Sequence, residues 1–405
     1  MTRSSRVGRL VSSGSVHELT QRVVRRLYDR TGAHRLEFPI RVGDIVDSSS
    51  VRLPPPSTRQ MSDALVVGWV CSPPGAASGG HATMFRMVAA LEDAGHECRI
   101  LLYDPHGVDL ARYRETIRAR WPHVRAAVED IDAGLGVADA YVATSWQSAH
   151  VLAGRGDIPG TRLYFVQDYE PYFYPPGSEY ALAEDTYRFG FHLLALGHMV
   201  HDEIRTNVGV DSSVIEFGCD TDTYRVRGAT PRHGIAFYSR PDTARRGSIL
   251  AGVALDEFHA RRPDQTIHLI GPRPLSMSAP AVEHGVLTPE ELAALYNSCV
   301  GGIGLSFTNI SLVVEEMAMC GAVPVVNESP RARADVVHPG VVWAQPTPGA
   351  LATALCDVVD HHDVTGRASA MGRARRPGSW DQSGRSLVTA LTLAVRNEVE
   401  KVMTP

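Results

Sequence analysis

Short apolar runs alternate with longer amphipathic stretches from about residue 64 onwards. Apolar runs predict buried strands at 64–70, 97–103, 140–144, 162–166 and 192–196, and the stretch 81–94 predicts a helix. A glycine-rich turn at 75–80 joins the first strand to that helix. Buried strands that alternate with helices are typical of a parallel sheet covered by helices. We therefore predict a doubly wound domain in this half of the chain.

The same alternation starts again after a polar linker at 225–233. Strands are predicted at 234–238, 265–270, 301–305 and 323–327, and helices at 248–261, 289–298 and 312–320. Ligands of such sheets bind outside the carboxyl ends of the strands, so the cleft between the two halves is the predicted site. The predicted organisation is an extension at 1–62, two Rossmann-like α/β domains at 63–224 and 232–375, and C-terminal helices at 376–405.

Composition agrees with two soluble globular domains. The 405 residues carry 40 basic and 45 acidic side chains, a formal net charge of −5, and this balance gives no reason to expect a nucleic acid partner. Lys401 is the only lysine of the sequence. A Walker phosphate loop, a protein kinase site and a pyridoxal-phosphate site each need an internal lysine, so these classes are excluded. Any bound anion must be held by arginine, histidine or backbone N–H groups.

The six cysteines are scattered through apolar stretches and never form a C-x-x-C pair. Together with the absence of a membrane-length apolar run or a signal-peptide core, this spacing indicates reduced thiols and a cytoplasmic protein. Residues 1–60 differ from the rest because they carry 11 arginines and 5 acidic residues. A basic amphipathic helix is predicted at 16–30, and two placements stay open: peripheral contact with the inner membrane, or docking on the protein's own surface.

Several longer segments resemble one enzyme family. They are the stretch 64–104, FGCDTDTY at 217–224, FYSR at 237–240 followed by RRG at 245–247, HGVLTPEELAALY at 284–296, and TNISLVVEEMAMCGAVP at 308–324. These segments resemble the retaining glycosyltransferases with the GT-B fold, which is built from two facing Rossmann-like domains. The segment FVQDYEPYFYP at 165–175 is similar to one subgroup, the WsaF-type bacterial rhamnosyltransferases. This resemblance implies a nucleoside-diphosphate-sugar donor, dTDP-rhamnose in that subgroup, and no further cofactor.

The segment TNISLVVEEMAMCGAVP at 308–324 departs from the pattern of the family. Thr308 stands where the family has the first of two glutamates, and Asn309 and Ser311 replace two glycines, whereas Glu316 keeps the second glutamate. The first glutamate of the family contacts the donor sugar and the second contacts the ribose. The resemblance therefore implies retained nucleotide binding, and the loss at Thr308 suggests a donor sugar without the usual hydroxyl arrangement. The donor-binding set carried over is Gly79, Gly80, Arg240, Arg245, Arg246, Gly271, Gly285, Val286, Leu287, Thr308, Asn309, Ile310, Ser311, Leu312 and Glu316.

Elementary chemistry supports the cationic part of this set. Negative charge builds on the leaving diphosphate during transfer, so cations and N–H donors must lie there. Arg240 and Arg245 or Arg246 follow the first strand of the second half, and the N–H groups at 311–312 open a helix. A surface ion pair is the other interpretation of Arg240. Glu316 lies one turn into that helix, and its carboxylate can accept hydrogen bonds from ribose hydroxyls.

Candidate catalytic groups come mainly from the first half. Asp168 and Glu170 follow a predicted strand at the cleft edge, where an acceptor hydroxyl needs orienting or deprotonating. His81 opens a helix facing the cleft, and Arg240 supplies charge to the leaving group. Capping of local turns is the competing role for the carboxylates, and a cap or surface position is the competing role for His81. If stereochemistry is retained, the leaving phosphate can accept the proton.

Two metal-like patterns carry little weight. The sequence Asp-Thr-Asp at 220–222 lies at the domain exit, and His-His-Asp at 361–363 lies in a turn between helices. We expect a metal-independent glycosyltransferase that moves a 6-deoxyhexose such as rhamnose to a glycan or lipid-linked acceptor. A nucleotide-sugar epimerase or hydrolase of the same fold, or a nucleotide-sugar-binding protein without turnover, remain alternatives.

Overall fold

The computed structural model describes residues 20, 23, 24, 27, 38–57, 64–75, 78–228, 231–310, 312–336, 338–374 and 378–403. Its centre is a pair of parallel sheets, one from each half of the chain. The predicted α/β class with two Rossmann-like sheets is confirmed. The predicted basic helix at 16–30 lies largely outside the described residues, as does Ser311. Within the described part of the chain, no helix combines the length and hydrophobicity that crossing a bilayer requires.

The first sheet has seven parallel strands in the order β3-β2-β1-β4-β5-β6-β7. Its register pairs Val67 with Cys98 on one side of β1 and with Ala140 on the other. The middle strands are buried on both faces, which is why they read as continuous apolar runs in the sequence. The strands are β1 (Val66–Cys71), β2 (Glu97–Leu102), β3 (Ala127–Asp130), β4 (Ala140–Ala143), β5 (Thr161–Val166), β6 (His192–Leu196) and β7 (Ser213–Ile215).

The second sheet has six parallel strands in the order β11-β10-β9-β12-β13-β14. The close pairing of β9, β12 and β13 depends on glycine, because a Cβ on Gly302 would overlap the Ala236 carbonyl oxygen. A short two-stranded ladder of β8 and β15 joins the domain exit to the start of the last helix. The strands are β8 (Gly218–Cys219), β9 (Ile235–Tyr238), β10 (Ile267–Ile270), β11 (Val282–Glu283), β12 (Gly301–Ile303), β13 (Val323–Asn327), β14 (Val342–Ala344) and β15 (Gly378–Ser379).

Helices cover both sheets. Side-chain caps begin several of them, for example Ser78 on α1 and Thr288, which forms a capping box with Glu291, on α7. The helices are α1 (Gly79–Asp93), α2 (Leu110–Arg120), α3 (Trp146–Ala153), α4 (Ser178–Asp185), α5 (His198–Val208), α6 (Ser248–Arg261), α7 (Pro289–Ser298), α8 (Leu312–Met319), α9 (Pro330–Asp335), α10 (Pro348–Val359), α11 (Val364–Arg373) and α12 (Trp380–Met403).

The last helix belongs to the core of the first half. Leu387 and Leu391 of α12 are fully buried in the same apolar cluster as Trp69 and Phe85, and Gly384 lies against Ala90 of α1. The chain therefore crosses between the two halves twice, once after β8 and once before β15. Because both sheets are parallel, the loops at the carboxyl ends of their strands meet in the space between them.

Candidate active site in the interdomain cleft

The loop that follows β5 carries the first-domain side of the site. Asp168 is only 5% exposed, and its carboxylate reaches across to the second domain. Its Oδ2 accepts a hydrogen bond from the Thr308 hydroxyl at 2.8 Å, and its Oδ1 accepts one from the Asn309 N–H at 3.3 Å. The Asn309 side-chain amide donates to the Gln167 carbonyl oxygen at 2.7 Å. The site thus joins the carboxyl ends of β5 and β12 directly.

Two arginines after β9 approach the same carboxylate. The Arg245 Nε lies 3.4 Å from the Asp168 Oδ2, and its guanidinium stacks 4.1 Å from the centre of the Phe173 ring. Burial raises the pKa of Asp168, although Arg245 and then Arg246 oppose that shift. Asp168 is therefore a desolvated carboxylate held by two hydroxyl or amide donors and by nearby positive charge.

Arg246 has a different environment from Arg245. Its guanidinium donates to the Ser306 hydroxyl at 2.8 Å and to the Asn309 carbonyl and side-chain oxygens at 3.2 Å each. Burial lowers the pKa of Arg246 to about 10. These contacts fix the loop 306–309 against the end of β9, so Arg246 positions the residues that meet Asp168. Of the two neighbouring arginines, Arg245 is the one whose side chain faces the cleft.

Further residues of the predicted donor-binding set lie at the ends of β9, β10 and β11. Arg240 stacks 5.3 Å from the centre of the Tyr238 ring, and its backbone N–H donates to the Ser248 hydroxyl at 3.2 Å. Gly271 has φ of +134°, and a Cβ there would overlap the Ser239 carbonyl oxygen. Its N–H donates to the Gly285 carbonyl at 2.8 Å, which anchors the turn that carries the half-buried Leu287 and the exposed Val286. This turn leaves backbone groups at the cleft.

Helix α8 carries the retained glutamate. Ile310 is buried in front of it, and Leu312 begins it. Burial raises the pKa of Glu316 to about 7, Arg86 of α1 opposes this, and Asp220 adds to it. The carboxylate thus lies where both domains approach, near the first-domain helix α1. A ligand hydroxyl would satisfy such a desolvated carboxylate, and the ribose contact of Glu316 stays a prediction.

Glu170 is buried away from the cleft surface. Its Oε2 accepts the Trp146 N–H at 2.7 Å, which caps the first turn of α3. Burial raises the pKa of Glu170 to about 8. The backbone N–H of Glu170 donates to the Tyr187 hydroxyl at 3.1 Å, and that hydroxyl lies 3.5 Å from the Asp168 carbonyl oxygen. These contacts favour the capping role that the sequence left open, because they occupy the carboxylate within the first domain.

His81 also has local partners. Its Nδ1 lies 2.7 Å from the Ser78 hydroxyl, and its Nε2 lies 2.8 Å from the Ser72 carbonyl oxygen. Burial lowers the pKa of His81, so the neutral ring is favoured. With Nε2–H donating to Ser72, the ring ties the loop after β1 to α1. Gly79 and Gly80 begin that helix as exposed residues, and a Cβ on Gly80 would lie 3.6 Å from the Gln167 side chain.

In addition to the contacts of Asp168, two side chains of α9 join the two domains within the described residues. Asp335 of α9 accepts the N–H groups of His198 at 2.6 Å and Met199 at 3.1 Å, and so caps α5 across the boundary. Arg331 of the same helix pairs with Glu203 at 2.6 Å and donates to the Tyr172 hydroxyl at 2.8 Å. Neither contact was predicted from the sequence. No local pattern marks them, because each joins residues more than 120 positions apart.

The metal-like patterns have structural partners of their own. Asp220 accepts the Thr223 hydroxyl at 2.7 Å, and Asp363 accepts the Gly366 N–H at 2.7 Å as a helix cap. Among the residues that the structure describes, no group of three or more His, Cys, Asp or Glu side chains is arranged to hold a metal ion.

Comparison with known proteins identifies the family. The model of the WsaF N-terminal domain matches residues 75–197, and the model of the WsaF C-terminal domain matches residues 233–356. The O-antigen biosynthesis protein RfbC of Myxococcus xanthus is 30% identical over 320 residues, which is 74% of this chain and 25% of the relative. The chain therefore spans about a quarter of the length of that relative.

Solved structures share the fold. The HepE protein of Anabaena, solved in complex with UDP and glucose, superposes with a TM-score of 0.62 at 14% identity over 80% of this chain and 99% of that one. WaaG, a glycosyltransferase involved in lipopolysaccharide biosynthesis, superposes with a TM-score of 0.54 at 12% identity over 76% of this chain and 94% of that one. Because both domain models match, one on each sheet, and these GT-B structures share the architecture, the chain belongs to the WsaF-like family of glycosyltransferases.

Proposed function

We propose that the chain transfers a 6-deoxyhexose, L-rhamnose in the simplest case, from a nucleoside diphosphate to a glycan or lipid-linked acceptor during surface polysaccharide synthesis. The reaction proceeds with retention and without a metal ion. The observation that carries this proposal is the placement of Arg240, Arg245 and the 285–287 turn directly after strands of the second sheet, with Glu316 on α8. The polysaccharide context is supported by the RfbC relative, whose name assigns it to O-antigen biosynthesis.

Fixed positive charge supports the metal-independent part of the proposal. A diphosphate leaving group needs its developing charge neutralised, and a divalent cation or arginines can supply that neutralisation. Arg240 and Arg245 both follow β9, and Arg246 adds a buried guanidinium behind them. The N-terminus of α8 adds positive potential from the helix dipole. Together these groups fit a nucleoside diphosphate donor such as dTDP-rhamnose, with no additional cofactor.

Thr308 supports a donor sugar with fewer hydroxyl contacts. Its hydroxyl already donates to Asp168, so it offers the sugar a smaller and less polar surface than the glutamate of the wider family. A 6-deoxyhexose has a methyl group where a hexose has a hydroxymethyl group. A site without that glutamate suits such a donor, because a buried carboxylate left without a sugar hydroxyl to contact costs binding free energy.

Burial of both candidate carboxylates supports retention. Asp168 is held by Thr308 and Asn309, and Glu170 caps α3, so neither is a solvent-exposed base. In a retaining transfer the departing phosphate oxygen itself accepts the proton of the acceptor hydroxyl on the front face. The chemistry then needs charge stabilisation and positioning rather than a strong protein base.

A peripheral position on the cytoplasmic face of the inner membrane completes the proposal. It depends on the basic residues 1–60 and on a lipid-linked acceptor, which such a membrane would present.

The test is a transfer assay in the presence of EDTA. Purified full chain is incubated with dTDP-rhamnose and an extract of lipid-linked glycans, and the release of dTDP and the mass of the product are measured. We expect transfer that EDTA leaves unchanged. Arg240→Ala should abolish turnover, whereas Arg261→Ala, on the helix α6 surface beside Glu257, is the matched control and should retain it. Failure of the wild type to release dTDP from dTDP-rhamnose would overturn the proposal.

A further inference from the structure

Arg245 occupies an unusual place for a donor-binding cation. Its Nε is buried and lies 3.4 Å from the Asp168 Oδ2, but it has no hydrogen-bond partner among the described residues. The rest of its guanidinium rests on the ring of Phe173, which is 36% exposed at the cleft. Among the described residues, Arg245 is thus held by charge and stacking, with no directed hydrogen bond from its Nε.

This arrangement covers Asp168. Thr308 and Asn309 of the second domain cover the carboxylate, and Arg245 lies beside it. With these neighbours, Asp168 is only 5% exposed. Of these three neighbours, Asn309 is held by hydrogen bonds from Arg246, and Thr308 precedes Asn309 in the loop 306–309. Arg245 is the one with a long side chain at the cleft, and its Nε has no hydrogen-bond partner in the part of the chain that the structure describes.

A diphosphate is a stronger partner for this guanidinium than Asp168 is. It carries more negative charge, and it offers oxygens spaced for a bidentate contact, which Asp168 does not make with Arg245. Arg245 follows β9 in the same loop as Arg240, where the proposed donor places its phosphates. The same side chain is therefore within reach of two anions and can neutralise only one of them fully.

We infer that Arg245 exchanges partners when the donor binds: it pairs with Asp168 in the free enzyme and moves to the donor diphosphate, and this movement uncovers Asp168 for the acceptor. The inference rests on the proposed function, since it requires a nucleoside-diphosphate donor. It makes donor binding the event that opens the acceptor subsite. No bond is made or broken in the exchange, because one ion pair replaces another.

An acceptor-free double-mutant cycle tests the exchange. The dissociation constants of dTDP, UDP and GDP are measured by calorimetry for the wild type, Asp168→Asn, Arg245→Gln and the double variant. If Asp168 competes for Arg245, removing its charge should tighten binding of the preferred diphosphate by about fivefold or more, the lower end of usual coupling between sites. Arg245→Gln should weaken that binding, and in its background Asp168→Asn should have no effect.

Ordinary charge repulsion between Asp168 and the diphosphate predicts a different result. In that case Asp168→Asn would tighten binding equally with and without Arg245, and the exchange would be wrong. Weaker binding by Asp168→Asn would also overturn it, because the carboxylate would then be a direct donor contact. Thymidine, which lacks phosphate, should bind the wild type and Asp168→Asn equally.

A second variant covers the case in which Asp168→Asn does not fold. Phe173→Leu removes the ring on which Arg245 rests and should also tighten diphosphate binding, again only when Arg245 is present. Asp335→Asn, an interdomain carboxylate that contacts α5 and not Arg245, is the matched control and should leave the dissociation constant unchanged. If no nucleotide binds the wild type, the proposed function itself fails; if one binds and the cycle shows no coupling, the exchange alone is overturned.

Discussion

Replacing Glu170 by glutamine separates a capping role from a catalytic one. Burial raises the pKa of Glu170 to about 8 in the folded chain, whereas the ordinary value is 4.5. Between pH 4.5 and about pH 8, Glu170 therefore keeps its proton in the folded protein and has lost it in the unfolded chain. The free energy of unfolding falls as pH rises through that window. At about 1.4 kcal/mol per pKa unit, this proton uptake costs roughly 3 kcal/mol of folding free energy at pH 7.

Glutamine carries no charge and still offers an oxygen to the Trp146 N–H. We therefore expect Glu170→Gln to match the wild type near pH 4.5 and to be more stable by up to about 3 kcal/mol at pH 7. The assay is urea unfolding followed by circular dichroism at pH 5, 6 and 7, with affinity for the nucleotide measured in parallel and expected to be unchanged.

Glu203→Gln is the control with the opposite sign. Burial favours a higher pKa for Glu203, but hydrogen bonds from Tyr172 and Arg331 outweigh it and lower the pKa. That variant should lose stability at neutral pH, and the loss should shrink as pH falls towards the pKa. A Glu170→Gln variant whose stability difference does not depend on pH would refute the reasoning, and a selective loss of turnover with unchanged stability would restore Glu170 as a catalytic candidate.

Three further outcomes follow from particular contacts. Gly271→Ala should destabilise the fold by more than about 1 kcal/mol in thermal unfolding, because φ is +134° and the new Cβ would overlap the Ser239 carbonyl oxygen. Asp335→Ala removes an interdomain helix cap and should cost about 1 kcal/mol in urea unfolding, with no cost if the cap is not formed in solution. Thr308→Val keeps the side-chain shape but takes a hydrogen bond from buried Asp168; we expect a loss of about 1–3 kcal/mol, and an unchanged midpoint would contradict that contact.

Much of the fold follows from sequence pattern. The helices at 248–261 and 289–298 and the strands at 192–196 and 323–327 have the predicted ends. Apolar periodicity and flanking turns mark these elements, and a capping box also marks the start of the helix 289–298. Edge elements were missed. β3 and β7 are short, and β3 ends in Glu129 and Asp130, so local hydrophobicity gives no strand signal.

Residues of the candidate site could be predicted from the sequence, but the contacts that they make with one another could not. The position after a predicted strand located Asp168 and the resemblance located Thr308, yet their hydrogen bond joins positions 140 residues apart and depends on how the two domains meet. Likewise the adjacent Arg245 and Arg246 look alike in the sequence. Only the fold shows that Arg246 is fixed by Ser306 and Asn309 while Arg245 faces the cleft. Glu170 was placed at the cleft edge because it follows β5, but its carboxylate accepts a hydrogen bond from the buried start of α3, the helix that follows the neighbouring strand β4.

The most direct test of the central claim is a thermal-shift titration of the full chain with dTDP, UDP and GDP and their sugar conjugates, with and without EDTA. A ligand that binds the folded state raises its apparent stability by mass action. We expect the largest rise in unfolding temperature with dTDP-rhamnose, and we expect EDTA to leave that rise unchanged. Absence of a shift with every nucleotide, or a shift that EDTA removes, would contradict a cleft that holds its donor through arginines.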